Sequence, residues 1–212
     1  MTMIQWVNTD GLTNYQVIIA QMEHVAQEII ENKSNDIIIL TEHRDVITFG
    51  TNSNVTDLLF QTTIPVVATG RGGKYTYHGP GQRIIYPVMD LRVNPWDHDL
   101  KKYINFLHNW IIATLKYFHI EAFIDKDHVG IWVNKNGQNK KIAAIGVRAR
   151  KWIVFHGVAV NIFTDLSKFD SFIPCGINNL GVTSFFDIGV NISLEEFDEI
   201  LKKEYHTIFK LV

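Results

Sequence analysis

The chain has 212 residues, 46% of them hydrophobic and 20% charged, with a formal charge of -2. That length suits one domain of about 100–200 residues, and the near-neutral balance excludes bulk nucleic-acid binding as a default. One cysteine, Cys175, excludes an intramolecular disulfide and a zinc site built on several thiolates. No window approaches the roughly 20 apolar residues of a membrane span, and the basic and apolar segments of an export signal are missing from "MTMIQWVNTD". The expectation is a cytoplasmic protein without membrane or nucleic-acid partners.

From Thr13 to Lys33 the apolar residues Tyr15, Ile18, Ile19, Met22, Val25, Ala26, Ile29 and Ile30 predict a helix with one buried face, opened by a Thr13–Gln16 capping box. Short β-rich runs follow at 36–40, 45–50, 64–69 and 83–91, each bounded by turn residues. A second helix is expected to start at "NPWD", with Asn94 as its N-cap and Pro95 in its first turn, and to bury Ile104, Leu107, Ile111, Leu115 and Phe118. An antiparallel meander is expected from 129 to 162, turning first at Asn136-Gly137 and then at Arg150-Lys151. A third helix opens with Ser193 and Glu196 and buries Leu194, Phe197, Leu201, Tyr205 and Ile208. Without regular βαβ alternation, the fold class is α+β: a single domain over 1–212 with a mixed, largely antiparallel sheet and packed helices.

The stretch "TGRGGKYTYHGPGQ" at 69–82 holds five of the fourteen glycines. Tyr75 stands where a dinucleotide fingerprint needs its last glycine, and no P-loop spacing is present. Bare backbone lets a ligand chain approach closely and leaves amide N–H groups to face an oxygen, although an irregular surface crossover has the same composition. Cys175, in "IPCGI", is either a small buried hydrophobe or a nucleophile presented between Pro174 and Gly176. As a base beside a thiol, His78 or His156 would be the usual choice. No histidines show metal-site spacing, so no metal is expected.

The string Arg71-Gly72-Gly73-x-x-Thr76-Tyr77-His78-Gly79-Pro80-Gly81-Gln82 resembles the signature of the lipoyl(octanoyl) transferases, and "KIAAIGVRARKWIVFHGVAVN" at 141–161 and "FIPCGINNLGVTS" at 172–184 are similar to the same family in the same order. Where that family commonly has His-Pro-Pro, this chain has "EHRDVITFG", keeping Glu42-His43 and Phe49-Gly50. The resemblance implies a fold like the catalytic domain of biotin and lipoate-protein ligases. It implies an acyltransferase that moves an octanoyl group from acyl carrier protein to a lysine of lipoyl domains, those of 2-oxoacid dehydrogenase complexes and the glycine cleavage H protein, without a cofactor. It makes Cys175 the nucleophile, with Lys141 promoting the thiolate and shuttling protons, and backbone N–H groups near Gly72, Gly73 or Cys175 facing the oxyanion.

By motif position it assigns substrate contacts to Arg71, Gly72, Gly73, Lys74, Tyr75, Thr76, Tyr77 and His78, then Ala144, Ile145 and Gly146, then Gly157, Val158 and Ala159. Strand alternation places Lys141 with Ala143 and Ile145, and Lys140 with Ile142 and Ala144. The competing readings are an ATP-dependent lipoate-protein ligase, whose glycine string has three consecutive glycines, and an inert acyl-binding or carrier-docking protein; a biotin-protein ligase would need a longer arginine-rich loop.

Overall fold

The computed structural model describes residues 4–59, 62–172 and 181–212. Three helices, α1 (Tyr15–Ile30), α2 (Leu100–Tyr117) and α3 (Leu194–Phe209), pack on a seven-stranded sheet. In space its strands run β1 (Gln5–Thr13), β2 (Ile37–His43), β6 (Gln82–Asp90), β10 (Ile153–Asn161), β9 (Gln138–Arg150), β8 (Ile131–Lys135), β7 (Ala122–Phe123). Among its described strands β1 and β2 alone pair in parallel, with a single parallel bridge from Lys141 to Val182 outside them. A three-stranded sheet of β4 (Val66–Ala68), β3 (Val46–Phe49) and β5 (Thr76–His78) carries the glycine loop between its outer strands.

Alternation within the central strands builds two cores. On β2, Ile37 and Ile39 meet α1 while Ile38 and Leu40 meet α2 and α3; on β6, Ile84, Tyr86 and Val88 take the first side, Ile85 and Met89 the second. Both faces are therefore covered, which is why β6 is apolar almost throughout. Trp110, Phe106 and Tyr205 form an edge-on aromatic cluster between α2 and α3. A third cluster, Ile47, Tyr75, Tyr77, Phe169 and Phe172, lies under the small sheet.

Local chemistry explains most element ends. Ser193 and Glu196 form the expected capping box of α3, a device worth about 1 kcal/mol. Asn136 and Gly137 both have positive φ, 52° and 81°, as the β8–β9 hairpin requires. Four expectations are corrected. The N-cap of α1 is Asn14, whose side chain accepts from Gln16 N–H, because the Thr13 hydroxyl is committed to Thr41, Glu42 and His43 across the sheet. Helix α2 begins at Leu100 with Asp99 as N-cap, since Asp97 and His98 adopt left-handed dihedrals that no helix accommodates. The second hairpin turns at Lys151-Trp152, one residue later than expected. Strand β1 was not foreseen: it is polar, edge-lying and paired on one side only, so it lacks the alternation that marks a half-buried strand, and with α1 and β2 it supplies one βαβ unit.

Candidate active site

A cavity of about 230 Å³ opens between the glycine loop, β9, β10 and the start of α1. The loop is moulded onto neighbouring backbone. Gly72 N–H donates to Val147 O, and Thr51 and Asn52 N–H donate to the carbonyls of Arg71 and Gly73. Gly73 takes φ 90°, a conformation that favours glycine. Arg71 folds back into its own loop, donating to the carbonyls of Gly72, Lys74 and Thr48 and to the Thr48 hydroxyl. It thereby clamps the loop to β3 and sets a positive charge in the cavity wall. In β5 the alternation turns Thr76 and His78 to the cavity, while Tyr77 points the other way, donating to Asp45 and packing on Phe169.

Lys141 lines the cavity although only 5% exposed, and its ammonium lies 4.7 Å from the centroid of the Trp132 ring, a contact favourable to a desolvated cation. Its position depends on a bulge. Ile131 faces Ala143 while Trp132 faces Lys141, so Ile142 is the extra residue on β9. Beyond it, Ala143 turns with Ile142 to the core under α2 and α3, whereas Lys141 shares the cavity with Ala144. Simple alternation, which placed Lys141 with Ala143 and Ile145 and Lys140 with Ala144, is thus corrected by one inserted residue. Gly130 leaves the room: a Cβ there would meet Ala143 O at 2.7 Å and Lys141 Cε at 3.0 Å.

One wall of the cavity carries aromatic and histidine rings, with His43 behind it. Tyr15, His43, His78 and Tyr86 meet ring to ring, and His156 meets Tyr86. Burial pushes His156 down to about 3, reinforced by Arg71 and Arg148, and holds His78 well below the usual histidine range, with His43 and Arg71 adding to it. Burial also pushes His43 down to about 4 and Tyr15 up to about 12. At neutral pH these imidazoles are neutral and weakly basic, which disfavours either His78 or His156 as the base beside a thiol. His156 reaches the cavity because its φ of 63° turns its ring to the same side as Phe155, with the two rings stacked at 5.4 Å.

Of the expected substrate contacts, Arg71, Gly73, Lys74, Tyr75, Thr76, His78, Ala144, Ile145, Gly146, Gly157, Val158 and Ala159 line this cavity together with Lys141; Gly72 and Tyr77 do not. The Gly72 N–H, bonded to Val147 O, is not available to face an oxyanion. Cys175 lies outside the described residues. The chain that resumes after it pairs with Lys141: Lys141 N–H donates to Gly181 O, and Thr183 N–H donates to Lys141 O. Tyr15, Tyr86 and His128 also line the cavity and were not foreseen. Tyr86 had a readable signal, a hydroxyl within an apolar run, whereas Tyr15 and His128 arrive only through the packing of distant segments.

The model of the lipoyl protein ligase A/B catalytic domain matches residues 14–206. The octanoyltransferase of Rickettsia canadensis (strain McKiel) is 49% identical over 208 residues, covering 98% of this chain and all of the relative. In fold the chain is similar to a bi-partite lipoate protein ligase from Thermoplasma acidophilum, with a TM-score of 0.70 at 15% identity over 98% of this chain and 83% of the other. It is equally similar to a lipoate-protein ligase A bound with ATP, with a TM-score of 0.70 at 17% identity over 98% and 85%. A family model that spans most of the chain and a relative matched along its whole length agree: the chain belongs to the lipoyl protein ligase A/B catalytic-domain family, with octanoyltransferases as its full-length relatives.

Proposed function

We propose that this protein transfers an octanoyl group from acyl carrier protein to a specific lysine of a lipoyl domain, by way of a thioester on Cys175. The observation that carries the reading is the placement of Lys141. It lines a largely apolar cavity, and both its backbone groups bond to residues 181 and 183, close behind Cys175 in the chain. In the first step Cys175 gives its proton to Lys141 and its thiolate attacks the thioester carbonyl; the bond to the pantetheine sulfur breaks, and that sulfur takes the proton back from Lys141 and leaves as a thiol. In the second, the acceptor lysine amine attacks the acyl-enzyme, the bond to Cys175 breaks, an amide forms, and the amine's proton passes by Lys141 to the departing thiolate. A thioester is exchanged for an amide, so the sequence of steps calls for no ATP. The cavity favours an aliphatic chain, each buried CH₂ being worth about 0.8 kcal/mol. Lipoyl domains of 2-oxoacid dehydrogenase complexes and the glycine cleavage H protein are the proposed acceptors.

The test is intact-protein mass spectrometry after incubation with octanoyl-acyl carrier protein in the absence of ATP. One octanoyl group should be gained, released by thiolysis, and absent at that position in Cys175→Ser. A folded protein that takes up no octanoyl group without ATP, but transfers free octanoate once ATP is added, would replace this reading with ligation.

A further inference from the structure

Three groups along the wall of the site have fixed hydrogen-bonding roles. The Arg71 guanidinium can only donate, and the carbonyls of Tyr77 and Thr183 can only accept. Between them run four buried side chains. Arg71 donates to the Thr48 hydroxyl at 2.8 Å, and the same hydroxyl lies 3.4 Å from His78 Nε2, which it meets as donor or acceptor according to the ring tautomer. Gln82 Nε2 must face Tyr77 O, at 3.2 Å, which turns Gln82 Oε1 to His78 Nδ1 at 2.8 Å. Asn161 Nδ2 must face Thr183 O, at 2.9 Å, which turns Asn161 Oδ1 to receive the second proton of Gln82 Nε2, at 2.8 Å. Both amide orientations have one possible direction, so His78 Nδ1 donates to Gln82 Oε1. In a ring that burial keeps neutral, Nε2 then accepts, and it is this that directs the Thr48 proton to it. At the far end, Thr183 returns its own N–H to Lys141 O at 2.9 Å.

We infer that Gln82 and Asn161 are positioning residues for Lys141: they carry a one-way chain of hydrogen bonds from the Arg71 loop, through an Nδ1–H His78, to the segment 181–183 that holds the Lys141 backbone. Gln82 is 1% exposed and Asn161 4%, so a broken link leaves a buried group unsatisfied instead of handing it to water. Asn161 also fixes that segment through its main chain, its carbonyl accepting from Phe185 N–H. The kinetic consequence rests on the octanoyl-transfer reading; the direction of the chain does not.

Ring-¹⁵N histidine NMR of the wild-type protein tests the direction, and Asn161→Asp tests the role. His78 should give a neutral imidazole protonated at Nδ1 only. Asn161→Asp keeps the acceptor for Gln82 but, when ionised, cannot donate to Thr183 O. Its kcat for octanoyl transfer at pH 8 should fall about 10–100-fold, with KM for octanoyl-acyl carrier protein within about twofold. The deficit should shrink as the pH is lowered and the buried carboxyl regains a proton to donate. Gln82→Glu, which interrupts the chain on the other side of Asn161, gives the same kcat split if the first variant does not fold. An Nε2–H His78, or a kcat deficit that is flat with pH, overturns the inference. A wild-type protein with the Nδ1–H signal and no octanoyl transfer keeps the chain of bonds and removes the positioning role together with the transfer reading.

Discussion

Lys141 and the two buried cavity histidines, His78 and His156, are opposite solutions to burial. The histidines are neutral among aromatic rings, and burial costs them their charge; Lys141 sits over the face of Trp132, where a cation is favoured. If the proton transfers belong to the lysine, Lys141→Met should lower octanoyl transfer at least about 100-fold, while the urea midpoint stays the same or rises, because a similar apolar side chain replaces a buried cation. Transfer rates and urea denaturation on the same variant check both halves; transfer within tenfold of wild type would return the proton to another group. Lys141 was assigned on resemblance, and its residue type alone could not distinguish it from Lys140. What separates them is the bulge at Ile142, which follows from how β9 registers on β8 and leaves no mark in the run "KKIAAIG".

The elements were legible to different degrees. Helices α1 and α3 follow their apolar stripes and α3 its capping box, because those signals are local. The start of α2 was misplaced by five residues, from Pro95 to Leu100: Pro95 is acceptable in a first turn, but the positive φ of Asp97 and His98 is imposed by how the segment rejoins the sheet, with His98 N–H donating to Leu91 O. Gly157 carries a role that its sequence position conceals. Besides lining the cavity, it lies where an added Cβ would collide with the Ile85 carbonyl oxygen and stand 2.7 Å from Pro87 Cδ, so β10 can approach β6 only with a bare residue there. Gly157→Ala should destabilise the protein by about 1–3 kcal/mol through overpacking, read as a lower urea midpoint at unchanged m; an unchanged midpoint would show that β6 yields at no cost.

For the whole molecule, the buried titratable groups set a pH dependence with a definite sign. His43 and His156 titrate near 4 and 3 in the folded protein against an ordinary 6.5, and His78 is displaced the same way. Their contribution to stability is complete above pH 6.5 and is lost as the pH falls toward 4, because the unfolded chain binds the protons that the folded one refuses. Asp36 and Asp198 oppose this. Burial raises both from 3.8 to about 6, so their contribution is complete below 3.8 and is lost as pH rises through 6. With His108, also lowered by burial, four imidazoles outweigh two carboxylates, so unfolding takes up protons between about pH 6.5 and 4. Urea midpoints should therefore fall from pH 7 to pH 5; a midpoint that rises over that range would mean that the buried histidines are charged in the folded state.

The sequence by itself determined the fold class, the three helices, most of the sheet and the family, since each is written in local periodicity, cap and turn chemistry, or contiguous motifs. The glycine loop and the "KIAAIG" strand marked most of the cavity wall in advance. Only the tertiary structure decided which side each residue faces: Lys141 into the cavity by one bulged residue, Tyr77 away from it, His156 into it by a left-handed φ. It also decided the protonation of His78, because the partners that orient that ring come from β3, β6 and β10, joined through residues 48, 82 and 161. A one-residue shift in a strand reverses its faces, and a hydrogen bond between residues so distant in the chain has no periodicity to announce it.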